Sequence, residues 1–212
     1  MRKTGMRSRI LERGAALVHA KGFNNAGLKE ILDASGAPKG SFYFYFKSKE
    51  AFGLALIEEY GAGFRKLAGA VLLDPARPPL SRLRRFFEAL AQRVADGEYR
   101  LGCPIGNLVL EMSGLSEAMR ERLQAAMLWM RGLIVHQLEE ARLDGAVLPG
   151  LDIPETARFI LSAWQGAVMA AKLERSREPL DAFFTVIFET LLTGREPGSA
   201  SPGAAPEHDM EA

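Results

Sequence analysis

The 212-residue sequence predicts an all-α protein of about nine helices. Apolar residues recur at helical spacing along most of the chain, and Gly, Pro and Asp residues interrupt that pattern at intervals. No segment shows a convincing strand pattern. The first helices are short and the later ones are long, so we expect an N-terminal three-helix domain of the helix-turn-helix type, followed by a larger helical body.

The first three predicted helices end at turn residues. The first runs from about 7 to 21 and stops at Gly22, and the second runs from about 28 to 34. Gly36 follows the second helix and permits a left-handed turn. Pro38 then begins the third helix, because its fixed φ suits the first helical turn.

The later predicted helices are longer and amphipathic. Ser48 caps one that continues to about 73, and Asp152 caps another that has Pro154 near its first position. The remaining segments are 80–95, a short helix that opens near Pro104, 116–143, and 180–192. Residues 196–212 contain three prolines and two glycines, which predicts a disordered tail. We therefore divide the chain into domains at 1–50 and 51–195, with the tail after them.

Charge is distributed unevenly between these domains. The total of 27 Lys and Arg against 26 Asp and Glu gives a net charge of +1. Residues 1–50 hold ten of the basic and four of the acidic residues, a balance of +6, which leaves 17 against 22, or −5, for the rest. This asymmetry indicates a basic domain that contacts a polyanion, joined to a mildly acidic body.

Other features restrict the class of protein. The single cysteine, Cys103, has no partner for an intramolecular disulfide. The N-terminus lacks a signal-peptide pattern, and no segment approaches the ~20 apolar residues of a membrane span. We expect a cytoplasmic protein without a membrane partner.

A motif around the third helix is highly specific. Residues 36–52 read GAPKGSFYFYFKSKEAF, and Gly22 and Phe23 precede the second helix. This run resembles the helix-turn-helix of the TetR (tetracycline-repressor) family of bacterial transcription regulators, almost position by position. The alternative, that the aromatic run 42–46 is a buried strand, lacks a partner strand.

The resemblance implies a DNA-binding surface on and around the third helix. Its base contacts would come from Lys39, Ser41, Tyr43 and Phe44, with Gly40 allowing close approach. Lys47, Lys49 and the amide of Gly27 would contact phosphates, and a phosphate also suits a cation beside a helix N-terminus. Gly27 stands where the family often has Thr or Ser, and Leu32 where it often has Ala.

The body, by the same resemblance, is a ligand-binding and dimerisation domain whose effector the sequence does not identify. Two recognition helices one turn of DNA apart read a palindromic operator, so we expect a homodimer. The apolar stripes of the last two helices give the candidate interface residues: Ile160, Trp164, Ala167, Val168, Ala171, Phe184, Ile187 and Phe188.

Cys103 is the residue of the body with the most distinctive chemistry. If Pro104 opens a helix, Cys103 lies at its N-cap, where the helix dipole favours a thiolate. The surrounding segment resembles one in a TetR branch that includes repressors responding to electrophiles and oxidants. A buried structural cysteine is the alternative interpretation.

These observations predict a repressor that is released from its operator by a small molecule or an electrophile. The candidate effector-sensing residues are Cys103, Asn107, Trp129 and Met130. His19, His136 and His208 lie on separate segments, so we expect no metal site, and no cofactor motif is present. The alternative function is an all-helical thiol enzyme that uses Cys103.

Overall fold

The computed structural model describes residues 5–194, which form nine α-helices and no strand. The helices are α1 (Met6–Lys21), α2 (Leu28–Ser35), α3 (Lys39–Tyr45), α4 (Lys49–Val71), α5 (Pro79–Asp96), α6 (Pro104–Met112), α7 (Glu117–Leu143), α8 (Ile153–Glu174) and α9 (Glu178–Phe184). The all-α prediction is confirmed. The predicted tail at 196–212 lies outside the described residues. Within residues 5–194, no helix combines the length and apolar character needed to cross a membrane.

Side-chain caps start three of the longer helices. Ser48, Ser116 and Asp152 each accept a hydrogen bond from the backbone amide three residues later, at 3.0, 3.2 and 3.1 Å. Each cap satisfies an amide that has no partner within its helix. The caps predicted at Ser48 and Asp152 are therefore confirmed.

The N-terminal domain, α1 to α3, is held together by aromatic packing. Phe42 on α3 and Phe46 just after it contact Phe52 on α4, with ring centroids 5.5 and 5.2 Å apart. Between α2 and α3, Gly36 adopts the left-handed conformation with φ of 60°. This turn directs α3 across α2, which is the arrangement of a helix-turn-helix.

Helix α4 joins this domain to the helical body, α5 to α9. A Cβ at Gly14 of α1 would lie 2.5 Å from the Phe52 ring, so the close approach of α1 to α4 requires glycine. The Tyr60 hydroxyl donates a hydrogen bond of 2.8 Å to the Ala15 carbonyl. Because α4 also packs on α5 and α7, it belongs to both domains.

The body is centred on a second aromatic cluster. Phe87 of α5 lies 5.1 Å, between ring centroids, from both Trp164 of α8 and Phe183 of α9. Large rings in offset contact bury much apolar area and contribute beyond that area. The cluster fixes α8 and α9 against α5.

The last helix differs from the regular α-helix predicted over 180–192. After α9 the chain continues as a π-helix over Thr185–Leu191, and the Leu192 amide donates to the Ile187 carbonyl at 3.0 Å. A π-helix has hydrogen bonds between residues five apart and a wider turn than an α-helix. Phe184, Phe188 and Leu192 are all buried.

Candidate nucleic-acid interface and effector cavity

Helix α3 separates its aromatic residues into a buried set and an exposed set. Phe42 is fully buried, whereas Tyr43 and Phe44 are 57% and 77% exposed. Large exposed rings next to buried ones do not contribute to the domain's own core. They form a surface that can contact another molecule.

The small and basic residues predicted for this surface lie around the same helix. Lys39 and Lys47 are exposed, and Ser41 is half-buried. At Gly40, none of the described residues lies within 4 Å of the position that a Cβ would take. The surface therefore combines two cations, two aromatic rings and an open backbone, which suits the edges and phosphates of a nucleic acid.

Two of the predicted phosphate contacts have partners inside the protein. The Gly27 amide donates to the Glu30 carboxylate at 3.3 Å. The Lys49 ammonium donates to the Asn24 carbonyl at 3.1 Å, and it lies 5.1 Å from the Phe23 ring centroid. Both groups fasten the loop between α1 and α2. Their contact with phosphate remains a prediction.

Cys103 lies at the N-terminus of α6, as predicted, and it is buried at 8% exposure. Its sulfur accepts a hydrogen bond from the Gly106 amide at 3.4 Å and lies 3.7 Å from the Gln165 amide nitrogen. A Cβ at position 106 would clash with the side-chain oxygen of Gln165, so the close approach of Gln165 requires glycine there. The glycine thus lets α8 approach the cysteine.

Of the two interpretations of Cys103, the structure favours the buried cysteine over the thiolate. Burial raises the pKa of the thiol, although the hydrogen bonds from Gly106 and Gln165 act in the opposite direction. Loss of water disfavours the charged sulfur more than these donors favour it. Cys103 is therefore a neutral thiol near pH 7.

A cavity of about 350 Å³ adjoins this thiol, between α6, α7 and α8. Its wall is mainly apolar, and its polar groups come from Asn107, Gln165 and Lys172. Asn107 also donates to the Leu101 carbonyl at 2.8 Å, which holds the turn before Cys103. A largely apolar cavity with a few polar groups is typical of a small-molecule site.

The four predicted sensing residues are divided between two cavities. Cys103 and Asn107 line the first, whereas Trp129 and Met130 line a smaller one of about 180 Å³ between α4 and α7. Gln165 and Lys172 were not predicted as site residues. Both lie on α8, far in sequence from Cys103, and no local pattern marks either of them.

The segment before Cys103 has an unusual backbone. Glu98 and Tyr99 both have positive φ, 51° and 57°, a conformation that costs a non-glycine residue on the order of 1 kcal/mol. Arg175, at the end of α8, donates to the Tyr99 carbonyl at 3.0 Å. Contacts with other elements therefore maintain this segment.

Most of the predicted dimer residues lie in the core of the protomer. Ile160, Trp164, Val168, Ala171, Phe184, Ile187 and Phe188 are buried within the protomer itself, and only Ala167 is half-buried. Apolar periodicity identified the side of each helix that packs in the core. Contact of any of these residues with a partner subunit remains a prediction.

A different face of α8 is exposed and apolar. The exposed residues are Phe159, Gly166, Met169 and Leu173. Successive members are seven, three and four residues apart, so they lie on one side of the helix and form a stripe about 21 Å long. Val186 is also exposed on the neighbouring π-helix. An apolar stripe of this length on a helix usually marks an interaction site. Gly166 and Met169 also line the cavity beside Cys103.

His19 has a structural contact. Its Nε2 lies 3.0 Å from the Gly102 carbonyl oxygen, and burial lowers its pKa. Among residues 5–194, no group of three or more His, Cys, Asp or Glu side chains is arranged to hold a metal ion.

Comparison with known proteins agrees with this architecture. Residues 10–56 match the model of bacterial regulatory proteins of the tetR family, and residues 79–187 match the tetracyclin repressor-like C-terminal domain. The HTH-type transcriptional repressor DhaR of Mycobacterium sp. (strain GP1) is 36% identical over 92% of this chain and 97% of its own length.

Solved structures show the same fold. A regulatory protein TetR from Rhodobacter sphaeroides has a TM-score of 0.83 and 34% identity, covering 87% of this chain and 97% of that one. The reduced form of Escherichia coli NemR has a TM-score of 0.79 and 29% identity, covering 89% and 99%. With a helix-turn-helix whose α3 exposes Tyr43 and Phe44, a helical body and both family domains in order, the chain belongs to the TetR family of DNA-binding transcriptional regulators.

Proposed function

We propose that the protein is a homodimeric repressor that binds a palindromic operator through α3 and releases it when a small molecule occupies the cavity beside Cys103. The observation that carries the proposal is the exposure of Tyr43 and Phe44 on a helix whose other aromatic residues, Phe42 and Tyr45, are buried and half-buried. Residues 1–50 act as the DNA-binding domain and residues 51–195 as the regulatory body. The name of the relative DhaR, a transcriptional repressor, supports repression as the outcome.

The contacts with DNA follow from the chemistry of each side chain. The Tyr43 hydroxyl and the Lys39 ammonium donate to base or phosphate oxygens. The Phe44 ring has no polar group and suits the methyl group of thymine. Lys47 neutralises a phosphate, which makes binding dependent on salt.

Dimerisation places two such helices on successive major grooves. The exposed stripe of α8, from Phe159 to Leu173, and Val186 form the proposed partner surface. Gly166 in the middle of the stripe permits a partner helix to approach closely. Because Met169 belongs to both the stripe and the cavity wall, a molecule in the cavity alters the surface on which the partner rests.

The effector is a small molecule with an apolar body and one or two polar groups. The cavity volume of about 350 Å³ is at the lower end of the range for small-molecule sites. The amides of Asn107 and Gln165 and the ammonium of Lys172 supply donors. An electrophilic effector would in addition alkylate Cys103, and the relative NemR, which was solved in a reduced form, supports a response to redox state.

The alternative, a thiol enzyme, receives no support from this site. Within the described residues, neither histidine nor carboxylate lines the cavity, and burial raises the pKa of the Cys103 thiol. A nucleophilic cysteine is normally activated by a nearby base or cation. As a regulator of transcription, the protein acts in the cytoplasm, with double-stranded DNA as its partner.

The first prediction concerns the recognition helix. Tyr43→Ala is expected to weaken binding about tenfold or more, since one good base or phosphate contact contributes about 1–3 kcal/mol. The measurement is fluorescence anisotropy at fixed salt, with a duplex selected from a random library by the wild-type protein. The melting temperature should not change, because Tyr43 is exposed. Unchanged affinity would show that Tyr43 does not contact the DNA.

The second prediction concerns the dimer. Leu173 lies on the α8 stripe and is 83% exposed. The substitution Leu173→Glu is expected to disrupt dimerisation, because the new charge would be buried in the interface without a partner. Sedimentation at micromolar concentration should give a monomer for Leu173→Glu. Leu73→Glu is the matched control, since Leu73 is also exposed, at 69%, but lies at the end of α4. Equal dimerisation of both variants would show that the partner surface lies elsewhere.

The third prediction concerns the thiol. Only the thiolate reacts with iodoacetamide, so the raised pKa of Cys103 makes alkylation of the folded protein slow near pH 7. Below that pKa, the rate should rise about tenfold per pH unit. Mass spectrometry of the native and urea-unfolded chain measures the two rates. A native rate that equals or exceeds the unfolded rate at pH 7 would show an activated cysteine instead.

A further inference from the structure

Helix α6 contacts the N-terminal domain at both of its ends. Just before α6, the Gly102 carbonyl lies 3.0 Å from Nε2 of His19 on α1. Near its C-terminus, the Glu111 carboxylate accepts hydrogen bonds from the Phe23 amide at 2.7 Å and the Asn24 amide at 2.6 Å. The helix therefore extends from the cavity beside Cys103 to the loop that follows α1.

The Glu111 contact is built into the backbone of that loop. Two consecutive amides, which belong to no helix, converge on one carboxylate, and hydrogen bonds to an ionised acceptor are the strong ones. Gly22 precedes them with φ of 88°, and a Cβ at Gly22 would lie 3.2 Å from the Glu111 oxygen. Glycine thus provides both the turn and the space for the carboxylate.

Further contacts hold the loop and the adjoining start of α4. Lys49 donates to the Asn24 carbonyl at 3.1 Å, and the Asn24 side-chain amide lies 3.6 Å from the Met112 sulfur. The Ser116 hydroxyl, between α6 and α7, donates to the Glu50 carboxylate at 2.5 Å. The loop is therefore held from α4 on one side and from the C-terminal end of α6 on the other.

The His19 contact does not depend on charge. Burial lowers the pKa of His19, so its ring is neutral near pH 7. A carbonyl oxygen only accepts hydrogen bonds, and Nε2 therefore carries the proton that is shared with Gly102. This bond ties α1 to the residue that precedes Cys103.

We propose that Glu111 is a positioning residue that sets the angle between the N-terminal domain and the body, and that α6 transmits a change at the Cys103 cavity to that angle. The proposal rests on the proposed function for its links to DNA and to the cavity. A dimer binds a full operator tightly only when its two recognition helices have the spacing of the half-sites. A residue that orients the domains acts on that spacing and leaves the recognition surface of each domain unchanged.

The test compares a full operator with a half-site. The full duplex is one that the wild-type protein selects from a random library. The half-site duplex is the same sequence with one of its two half-sites scrambled. Glu111→Gln keeps the size of the side chain but removes its charge and presents a donor to one of the two amides. We expect affinity for the full duplex to fall about tenfold, while affinity for the half-site duplex stays within about twofold.

Glu139→Gln is the matched control. Glu139 pairs with Arg142 within α7, at 2.5 Å, and neither residue contacts the N-terminal domain in the described structure. This variant should bind both duplexes as the wild type does. Amide exchange gives a second readout, since the Phe23 and Asn24 amides should exchange faster in Glu111→Gln only.

A covalent probe tests transmission from the cavity. N-ethylmaleimide, added until mass spectrometry shows one adduct on Cys103, places a bulky group beside α6. In the wild type we expect the adduct to lower affinity for the full duplex selectively. In Glu111→Gln the additional loss should be less than about threefold, because the link is already broken.

The outcomes distinguish this inference from the proposed function. Equal losses on the full and half-site duplexes, or no loss, in Glu111→Gln would overturn the positioning role. A full further loss after alkylation of Glu111→Gln would overturn transmission through this carboxylate. If the wild-type protein selects no duplex from the library, the proposed DNA binding is wrong. If the N-ethylmaleimide adduct of the wild type binds the full duplex as the unmodified protein does, the proposed regulatory role of the cavity is wrong. Should Glu111→Gln unfold, Glu111→Asp keeps the charge, draws the carboxylate back from the Phe23 and Asn24 amides and is read in the same way.

Discussion

One carboxylate that holds two backbone amides joins the two domains. Glu111 extends from the body to the loop after α1, and Lys49 holds the same loop from α4. Without these contacts, α4 would remain as the main covalent and packing connection, and a single helix allows bending at its junction. The angle of the recognition helix therefore depends on where α6 lies, and the position of α6 depends on the packing around Cys103.

This dependence explains the arrangement of charge and burial. The basic residues are concentrated in the first fifty positions, where α3 exposes Tyr43 and Phe44. The body is mildly acidic, so it does not compete for the DNA backbone. Its cavity lies between α6 and the apolar stripe of α8. A ligand there touches both α6, which orients the DNA-binding domain, and the surface proposed for the partner. Direct contact with these two elements is enough for the ligand to shift the population of domain orientations.

The sequence predicted those features that short segments determine. Caps such as Ser48, the left-handed turn at Gly36 and the motif of α3 each depend on a few neighbouring residues. Contacts between distant segments carried no such signal: Glu111 lies 88 residues from Phe23, and Gln165 lies 62 from Cys103. Apolar periodicity on α8 identified the core side, with Trp164, whereas the exposed stripe includes the small residue Gly166 and borders on Ser162, so its apolar pattern is weaker. For Cys103 the sequence left two interpretations open, a thiolate favoured by the helix dipole and a buried cysteine, and burial, which local sequence does not reveal, has the larger effect on the pKa of the thiol.

The most direct measurement of the central claim is the distance between the two DNA-binding domains of a dimer. Asp33 is exposed on α2, so Asp33→Cys in a Cys103→Ser chain carries one spin label on each domain. Pulsed electron paramagnetic resonance then gives the distribution of label-to-label distances. The account predicts a narrow distribution when Glu111 is present and a clearly broader or shifted one in Glu111→Gln, with Glu139→Gln unchanged. Identical distributions with and without the Glu111 carboxylate would contradict it.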